Sequence, residues 1–182
     1  RHALVFGSGE CVNRRGMETA LVNAGTDATD IAEGRAGLGV HGQGWDGKQK
    51  RLRTTNLDRH GREQAISRFG KKLKGGGAGV FYYAGHGFQV DGVNYLIPLG
   101  GMHGLDEGFK IRSQGLPLDV VMQPIRQANN RSNLVILDAC RDDETPSKIR
   151  GATRGFTEMS TVNMPMGSFL VYSTLPGRKA YD

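Results

Sequence analysis

The chain has 182 residues, of which 37% are hydrophobic and 28 are glycine, as expected for a single α/β domain with many loops. No apolar run approaches the ~20 residues that a membrane-spanning helix needs, which excludes a helical membrane protein. The two cysteines, Cys11 and Cys140, provide neither a disulfide framework nor metal-ligand spacing. They are compatible with a reducing compartment, and we expect a cytoplasmic protein.

The formal net charge of +6 raises the question of nucleic-acid binding. One basic cluster covers residues 48–53 and another covers residues 71–74, and neither has interleaved aromatic residues. Residues 71–74 close a predicted helix, where cations interact favourably with the helix dipole. We therefore interpret both clusters as solvated surface and predict no nucleic-acid partner.

The first predicted strand, residues 3–6, is followed by Gly7-Ser-Gly9. A Gly-x-Gly after a strand can begin a dinucleotide-binding loop, but the position of the third glycine is occupied by Val12. We interpret the segment as a tight turn, and a flavodoxin-like nucleotide binder would depend on it alone. Cys11, beside the turn, is interpreted as a small buried or semi-buried residue rather than a nucleophile.

The next part of the chain predicts two helices with a poorly patterned region between them. Residues 20–35 indicate a helix and residues 38–40 a second strand, whereas residues 41–56 are polar and glycine-rich without clear periodicity. Residues 58–74 predict the second helix, because they carry one apolar stripe and are followed by three glycines. The stripe consists of Ala65, Ile66, Phe69 and Leu73.

Two short apolar runs each lead directly into residues with reactive side chains. Residues 134–137 predict a strand buried on both faces of a parallel sheet, and Asp138-Ala-Cys140 follows. Residues 80–84 have the same design and lead into Gly85-His-Gly87. Open α/β folds have their sites at the carboxyl edge of the sheet, so we expect His86 and Cys140 to meet there.

The Asp91-Gly92 pair lies between two further short segments, residues 88–90 and residues 93–97. An Asp-Gly pair in this setting is a strong signal for a β-hairpin. Residues 100–115, which follow, are rich in glycine and predict a loop.

The last third of the chain predicts one helix, one irregular stretch and one strand. Residues 116–129 predict a helix on the sheet, which either starts late or kinks at Pro124. Residues 141–165 are polar and without a clear pattern, and residues 167–174 predict the last strand.

Asp138-Ala-Cys140 has a histidine 140 − 86 = 54 residues upstream, close to the spacing of the caspase signature, which has glutamine in place of the aspartate. Three further motifs match the same proteins: Tyr83-Ala-Gly-His-Gly87, Asn94-Tyr-Leu-Ile-Pro98 and Tyr172-Ser-Thr-Leu-Pro-Gly177. Together the motifs resemble the bacterial caspase-like cysteine peptidases (orthocaspases), which are relatives of the metacaspases. The resemblance covers nearly the whole chain.

This resemblance implies a three-layer α-β-α sandwich with a mostly parallel central sheet and a β-hairpin after His86. It implies one caspase-like catalytic domain over residues 1–182. Within it, residues 1–140 correspond to a large subunit, residues 141–165 to a linker loop and residues 166–182 to the start of a small subunit. Because the chain opens on Arg1 and stops at Asp182, inside a predicted site loop, we interpret it as a fragment.

The resemblance also implies the catalytic roles. Cys140 is the nucleophile and His86 its partner in a dyad, with the main-chain amides of Gly87 and Cys140 as the oxyanion hole. A neutral thiol is a poor nucleophile, and an adjacent imidazole makes the thiolate accessible near neutral pH. No metal or other cofactor is expected in the chemistry, whereas calcium activation, as in many metacaspases, is left open.

The pocket for the substrate side chain is implied to contain Asp27, Asp138, Ser173 and Asp182. Asp138 stands two residues before the cysteine, and Asp182 falls where aspartate-specific caspases have an arginine. Asp27 belongs to an Asn-x-x-x-Asp element of the family, although it can equally cap a helix, and the two roles are compatible. An acidic pocket suits arginine or lysine, so we predict cleavage of protein or peptide substrates after Arg or Lys.

Two alternatives stay open at this point. An enzyme that cuts after basic residues has candidate self-processing points in the linker at Lys148, Arg150 and Arg154, but this linker can equally be a surface loop that is never cut. The rival function is a non-catalytic caspase-fold scaffold or interaction domain. The presence of both His86 and Cys140 favours the enzyme.

Overall fold

The computed structural model of the chain describes residues 2–7, 10–12, 18–20, 41–43, 57–98, 107–140, 152–154, 156 and 164–173. These residues form helices α1 (Arg59–Leu73), α2 (Glu107–Gln114) and α3 (Leu118–Ala128). Their strands are β1 (His2–Gly7), β2 (Glu10–Val12), β3 (Glu18–Ala20), β4 (His41–Gln43), β5 (Ala78–Val90), β6 (Val93–Leu96), β7 (Leu116–Pro117), β8 (Ser132–Cys140), β9 (Ala152–Arg154) and β10 (Ser168–Tyr172). The predicted helix over residues 20–35, apart from its first residue, and the predicted strand over residues 38–40 lie outside the described ranges.

The centre of the fold is a mostly parallel sheet. Among the described strands the order is β10-β8-β5-β1-β4, and each neighbouring pair on this path is parallel. The second half of β5 pairs antiparallel with β6 and β9, and β7 pairs antiparallel with β6. β2 and β3 form a separate antiparallel pair. The predicted α/β class with a mostly parallel sheet is confirmed.

Helices α1 and α3 pack against each other and bury their apolar sides in the main core. Asp58 caps α1, and its side chain accepts a hydrogen bond from the amide of Gly61 at 2.8 Å. α3 begins at Leu118, ahead of Pro124, so the late-start alternative is wrong. The helices approach so closely that a methyl group at Gly70 would lie 2.4 Å from Cβ of Pro124, which explains a glycine inside α1. No described helix has the length and apolar character needed to cross a membrane.

The two faces of the sheet are buried to different extents. The face toward α1 and α3 belongs to the large core, whereas the other face carries a smaller apolar cluster around Tyr82. Within β8, Val135 and Leu137 are buried on the first face, but Leu134 and Ile136 are only half-buried on the second. The expectation that residues 134–137 are buried on both faces of the sheet is therefore wrong for the second face.

Several described elements differ from the sequence-based expectations. β7 covers the first two residues of the helix predicted over residues 116–129, and β3 includes Ala20, the first residue of the helix predicted over residues 20–35. β4 lies in the stretch expected to be irregular, α2 in the predicted loop over residues 100–115, and β9 in the predicted linker over residues 141–165. β4 and β9 are three-residue strands that depend on main-chain pairing with β1 and β5, and main-chain pairing leaves little trace in side-chain periodicity. α2 buries Ile111 but exposes Phe109, so its apolar residues form no clear stripe.

One cation, Arg62 of α1, lies entirely inside the core. Its guanidinium carbon is 5.2 Å from the centre of the Phe6 ring and 5.7 Å from that of Tyr83, and its Nε donates to the carbonyl of Leu57 at 3.1 Å. A buried cation over aromatic rings is stabilised by the quadrupoles of those rings and by charge-assisted hydrogen bonds.

We expect Arg62→Ala to lower the free energy of unfolding by about 3 kcal/mol, because it removes these contacts and leaves a cavity. Urea unfolding followed by circular dichroism measures the change. Arg68→Ala is the matched control, since Arg68 is exposed on the same helix, and its effect should stay within about 0.5 kcal/mol. Equal stabilities for the two variants would contradict a structural role for Arg62.

Candidate active site

The predicted histidine and cysteine strands are direct neighbours. β5 and β8 run parallel, and their register extends from Ala78–Ser132 to His86–Cys140. Position 86 is thus the direct partner of position 140, the last residue of β8. Neighbouring strands lie roughly 4.8 Å apart, so the two main chains are as close as strand pairing allows.

His86 does not follow the end of its strand, as the sequence suggested, because β5 continues without a break to Val90. The last β8 pair is His86–Cys140, and the first β6 pair is Gly87–Leu96. At this point β5 leaves its parallel partner and enters an antiparallel sheet with β6 and β9. Between His86 and Gly87, β5 therefore changes from parallel to antiparallel pairing. The turn at Asp91 and Gly92, both with positive φ, closes the β5–β6 hairpin.

The main chain of His86 is held by two hydrogen bonds to its carbonyl oxygen. The hydroxyl of buried Tyr83 donates to it at 2.7 Å, and the amide of Ile97 donates at 3.1 Å. The Ile97 amide also lies 3.2 Å from the Tyr83 oxygen. These contacts give a physical reason for two of the sequence motifs, because Tyr83 opens one of them and Ile97 lies within another.

Gly87 is in close contact with an aromatic ring of the chain itself. A methyl group at this position would lie 2.4 Å from Cζ, 2.6 Å from Cε1 and 2.8 Å from Cε2 of Phe156. Phe156 belongs to the same core cluster as Tyr83, on the face toward α1 and α3. Side chains alternate along a strand, so this face is opposite to the one that carries Tyr82 and His86. The Phe156 ring therefore packs against Gly87 from the core face of the sheet and does not occupy the face that carries His86.

Asp138 is half-buried and is held by a hydrogen bond. The hydroxyl of Tyr82 donates to its Oδ2 at 3.1 Å. Asp138 pairs with Ala84 in the register, two residues before Cys140. The face that carries His86 therefore also presents a carboxylate with a fixed orientation.

The other predicted pocket residues are described only in part. Ser173 is exposed directly after β10, and its amide donates to the carbonyl of Leu137 at 3.1 Å, which brings it next to Asp138. Asp27 and Asp182 lie outside the described residues.

Of the candidate self-processing points, Lys148 and Arg150 also lie outside the described residues. Arg154 is the last residue of β9, where it pairs with Phe88 of β5. This differs from the irregular loop expected around Arg154, since its main chain takes part in the antiparallel sheet.

Sequence reasoning missed three residues that the geometry connects to the site: Tyr82, Tyr83 and Phe156. Tyr82 had a signal, because residues two apart along a strand share a face and Tyr82 therefore lies on the face of His86, whereas the signal for Tyr83 was its place at the start of the Tyr83-Ala-Gly-His-Gly87 motif. Phe156 had none, since it lies in a polar stretch without periodicity.

A comparison with protein-family models matches residues 1–182 to the caspase domain of the Peptidase C14 family. A comparison with curated proteins finds no match.

Proposed function

Because the chain belongs to the caspase-domain family of peptidases, we propose that it is a cysteine endopeptidase with a catalytic dyad of His86 and Cys140. The observation that carries the proposal is the register pair His86–Cys140, which brings together two residues that are 54 positions apart in the chain. A scaffold that had lost catalysis would have no need to keep both residue types at this pair.

In the proposed reaction, the Cys140 thiolate attacks the carbonyl carbon of the scissile peptide bond. The main-chain amides of Gly87 and Cys140 donate to the oxyanion that forms. His86 carries the thiol proton and gives it to the leaving amine as the C–N bond breaks, which yields a thioester. Water, deprotonated by His86, then hydrolyses the thioester and regenerates the thiol. No metal or other cofactor is needed for these steps, and calcium is proposed neither as a reactant nor as a ligand here.

The proposed specificity is for arginine or lysine before the scissile bond. Asp138 supports this, because its carboxylate is half-buried, lies on the face of His86 and is oriented by Tyr82. We propose that Asp27, Ser173 and Asp182 complete the acidic pocket. The formal net charge of +6 opposes cationic substrates at long range, but exposed charges are screened beyond about 8–10 Å, so the local carboxylates dominate.

We also propose a domain architecture and a mode of self-processing. The chain forms one catalytic domain with a three-layer α-β-α arrangement, in which residues 1–140 and 166–182 correspond to large and small subunits. Lys148, Arg150 and Arg154 in the intervening segment are the proposed self-processing points. The substrates are proteins or peptides and not nucleic acids. A thiol nucleophile favours a reducing compartment, so a cytoplasmic location is part of the proposal.

Fluorogenic peptides that differ only in the residue before the scissile bond test this function. We expect hydrolysis after Arg and Lys and none after Asp, because carboxylates in the pocket attract cations and repel anions. Labelling by an arginyl chloromethyl ketone, located by mass spectrometry, should occur on Cys140. A protein that neither hydrolyses these peptides nor takes the label would instead be a scaffold, and a preference for Asp would contradict the acidic pocket.

A further inference from the structure

Residues 152–154, within the predicted linker, pair with the strand that carries the histidine. β9 pairs antiparallel with β5 through Val90–Ala152, Gln89–Thr153 and Phe88–Arg154. β6 pairs with the same residues of β5 from the other side. The residues that follow Gly87 therefore lie between two strands, and one of them comes from the linker.

Phe156 connects three parts of the chain through its ring. Its ring centre is 6.5 Å from that of Tyr83 in β5 and 6.1 Å from that of Tyr172 in β10. It is buried, and its edge lies against the Cα of Gly87 so tightly that only glycine fits there. Aromatic pairs at such distances contribute to stability beyond the area that they bury.

These contacts fix one particular peptide group, the one between His86 and Gly87. Its carbonyl oxygen accepts hydrogen bonds from Tyr83 and Ile97, and its far end, the Cα of Gly87, rests on Phe156. A peptide group is planar, and in the trans form its N–H points opposite to its C=O. Fixing the carbonyl and the Gly87 Cα therefore also fixes the direction of the Gly87 N–H.

We propose that Phe156 is a positioning residue that orients the Gly87 amide for the oxyanion, so that linker residues 152–154 and 156 are part of the catalytic apparatus. This inference rests on the proposed function, in which that amide is an oxyanion donor. The proposed role of Phe156 involves no contact with the substrate. It acts through Gly87 and through Tyr83, from the face of the sheet opposite to His86.

The test compares Phe156→Ala and Phe156→Leu with the natural protein on an arginyl fluorogenic peptide. We expect Phe156→Ala to lower kcat by about 10- to 100-fold with KM changed by less than about threefold, since oxyanion stabilisation acts on the transition state. Phe156→Leu keeps the core filled, so its kcat should lie between those of the natural protein and Phe156→Ala. Phe109→Ala is the matched control, because Phe109 is 78% exposed on α2, and its kcat should not change.

Two further readouts separate positioning from general damage to the fold. Alkylation of Cys140 by iodoacetamide forms no oxyanion, so its rate should stay within about twofold in Phe156→Ala, whereas inhibition by a peptide arginal should weaken in proportion to kcat. Gly87→Ala should also lower kcat, because its methyl group collides with the ring. Adding Phe156→Ala to it should cause no further loss, since the two residues act through one contact.

The outcomes distinguish this inference from the proposed function. If the natural protein hydrolyses the peptide and Phe156→Ala keeps its kcat, or loses alkylation rate as much as kcat, the positioning role is wrong. If the natural protein is inactive, the proposed function fails, and the orientation of the Gly87 peptide is judged by amide resonances. Phe156→Ala should then shift the Gly87 amide signal and Phe109→Ala should not, and an unmoved signal would overturn the inference.

Discussion

Replacing Cys140 with alanine is expected to lower kcat/KM for arginyl peptides by at least about 10⁴-fold, because no other group in the proposed site can form the thioester. His86→Ala should cause a loss of similar size, since without the imidazole the thiol is not activated and the leaving amine receives no proton. The measurement is initial-rate hydrolysis of a fluorogenic arginyl peptide by purified protein.

The double variant makes this prediction specific to a dyad. Residues that act as one unit are strongly non-additive, so Cys140→Ala combined with His86→Ala should be no less active than Cys140→Ala alone. Cys11→Ala is the matched control, because Cys11 is the other cysteine of the chain and has no proposed part in the chemistry. Loss of activity in Cys11→Ala with full activity in Cys140→Ala would reverse the assignment of the nucleophile.

The same set of variants tests self-processing. Incubation of the natural protein followed by mass spectrometry should reveal any cuts after Lys148, Arg150 or Arg154, and Cys140→Ala should show none of them. Arg154 is expected to be the slowest, since its main chain is paired with Phe88 in the sheet and a peptidase needs an extended, unpaired substrate. Cuts that persist in Cys140→Ala would come from another protease.

The sequence predicted the parts of the fold that depend on side-chain periodicity and local chemistry. α1 was readable because an apolar stripe and terminal glycines agree, and the structure adds a cap at Asp58 that the sequence analysis did not name. The strands of His86 and Cys140 were readable because each contains a short apolar run that leads into polar residues, although β5 continues past His86 to Val90. The fold class led to the expectation that these two strands bring His86 and Cys140 together, and the observed register shows that the two residues are direct partners.

The parts that the sequence did not predict depend on long-range main-chain pairing and on single contacts. β9 is a three-residue strand that exists through its pairing with β5, which is more than sixty positions earlier in the chain. Phe156 is one apolar residue in a polar stretch, and its proposed role is inferred from the close contact of its ring with Gly87, which has no side chain. The glycines around His86 leave room for another group to approach the main chain, and at Gly87 this room is taken by the Phe156 ring.

The largest effect on specificity is expected from Asp138. Asp138→Asn keeps the shape of the side chain and an oxygen that accepts from Tyr82, but it removes the negative charge. Removing one partner of a partly desolvated charge pair costs about 2–5 kcal/mol, so kcat/KM for arginyl and lysyl peptides should fall by about 30- to 5,000-fold. Asp138→Ala should abolish their cleavage while the protein stays folded.

Three controls separate loss of the charge from loss of the site. Tyr82→Phe removes the donor to Asp138 but keeps the carboxylate, so kcat/KM should fall by about tenfold or less. Alkylation of Cys140 by iodoacetamide should be unchanged in Asp138→Asn, because the dyad is intact. Since the lost interaction is with a substrate cation, a peptide with an uncharged residue such as norleucine at that position should be cleaved about equally by both proteins. An Asp138→Asn protein that still prefers arginine would mean that another carboxylate selects the substrate.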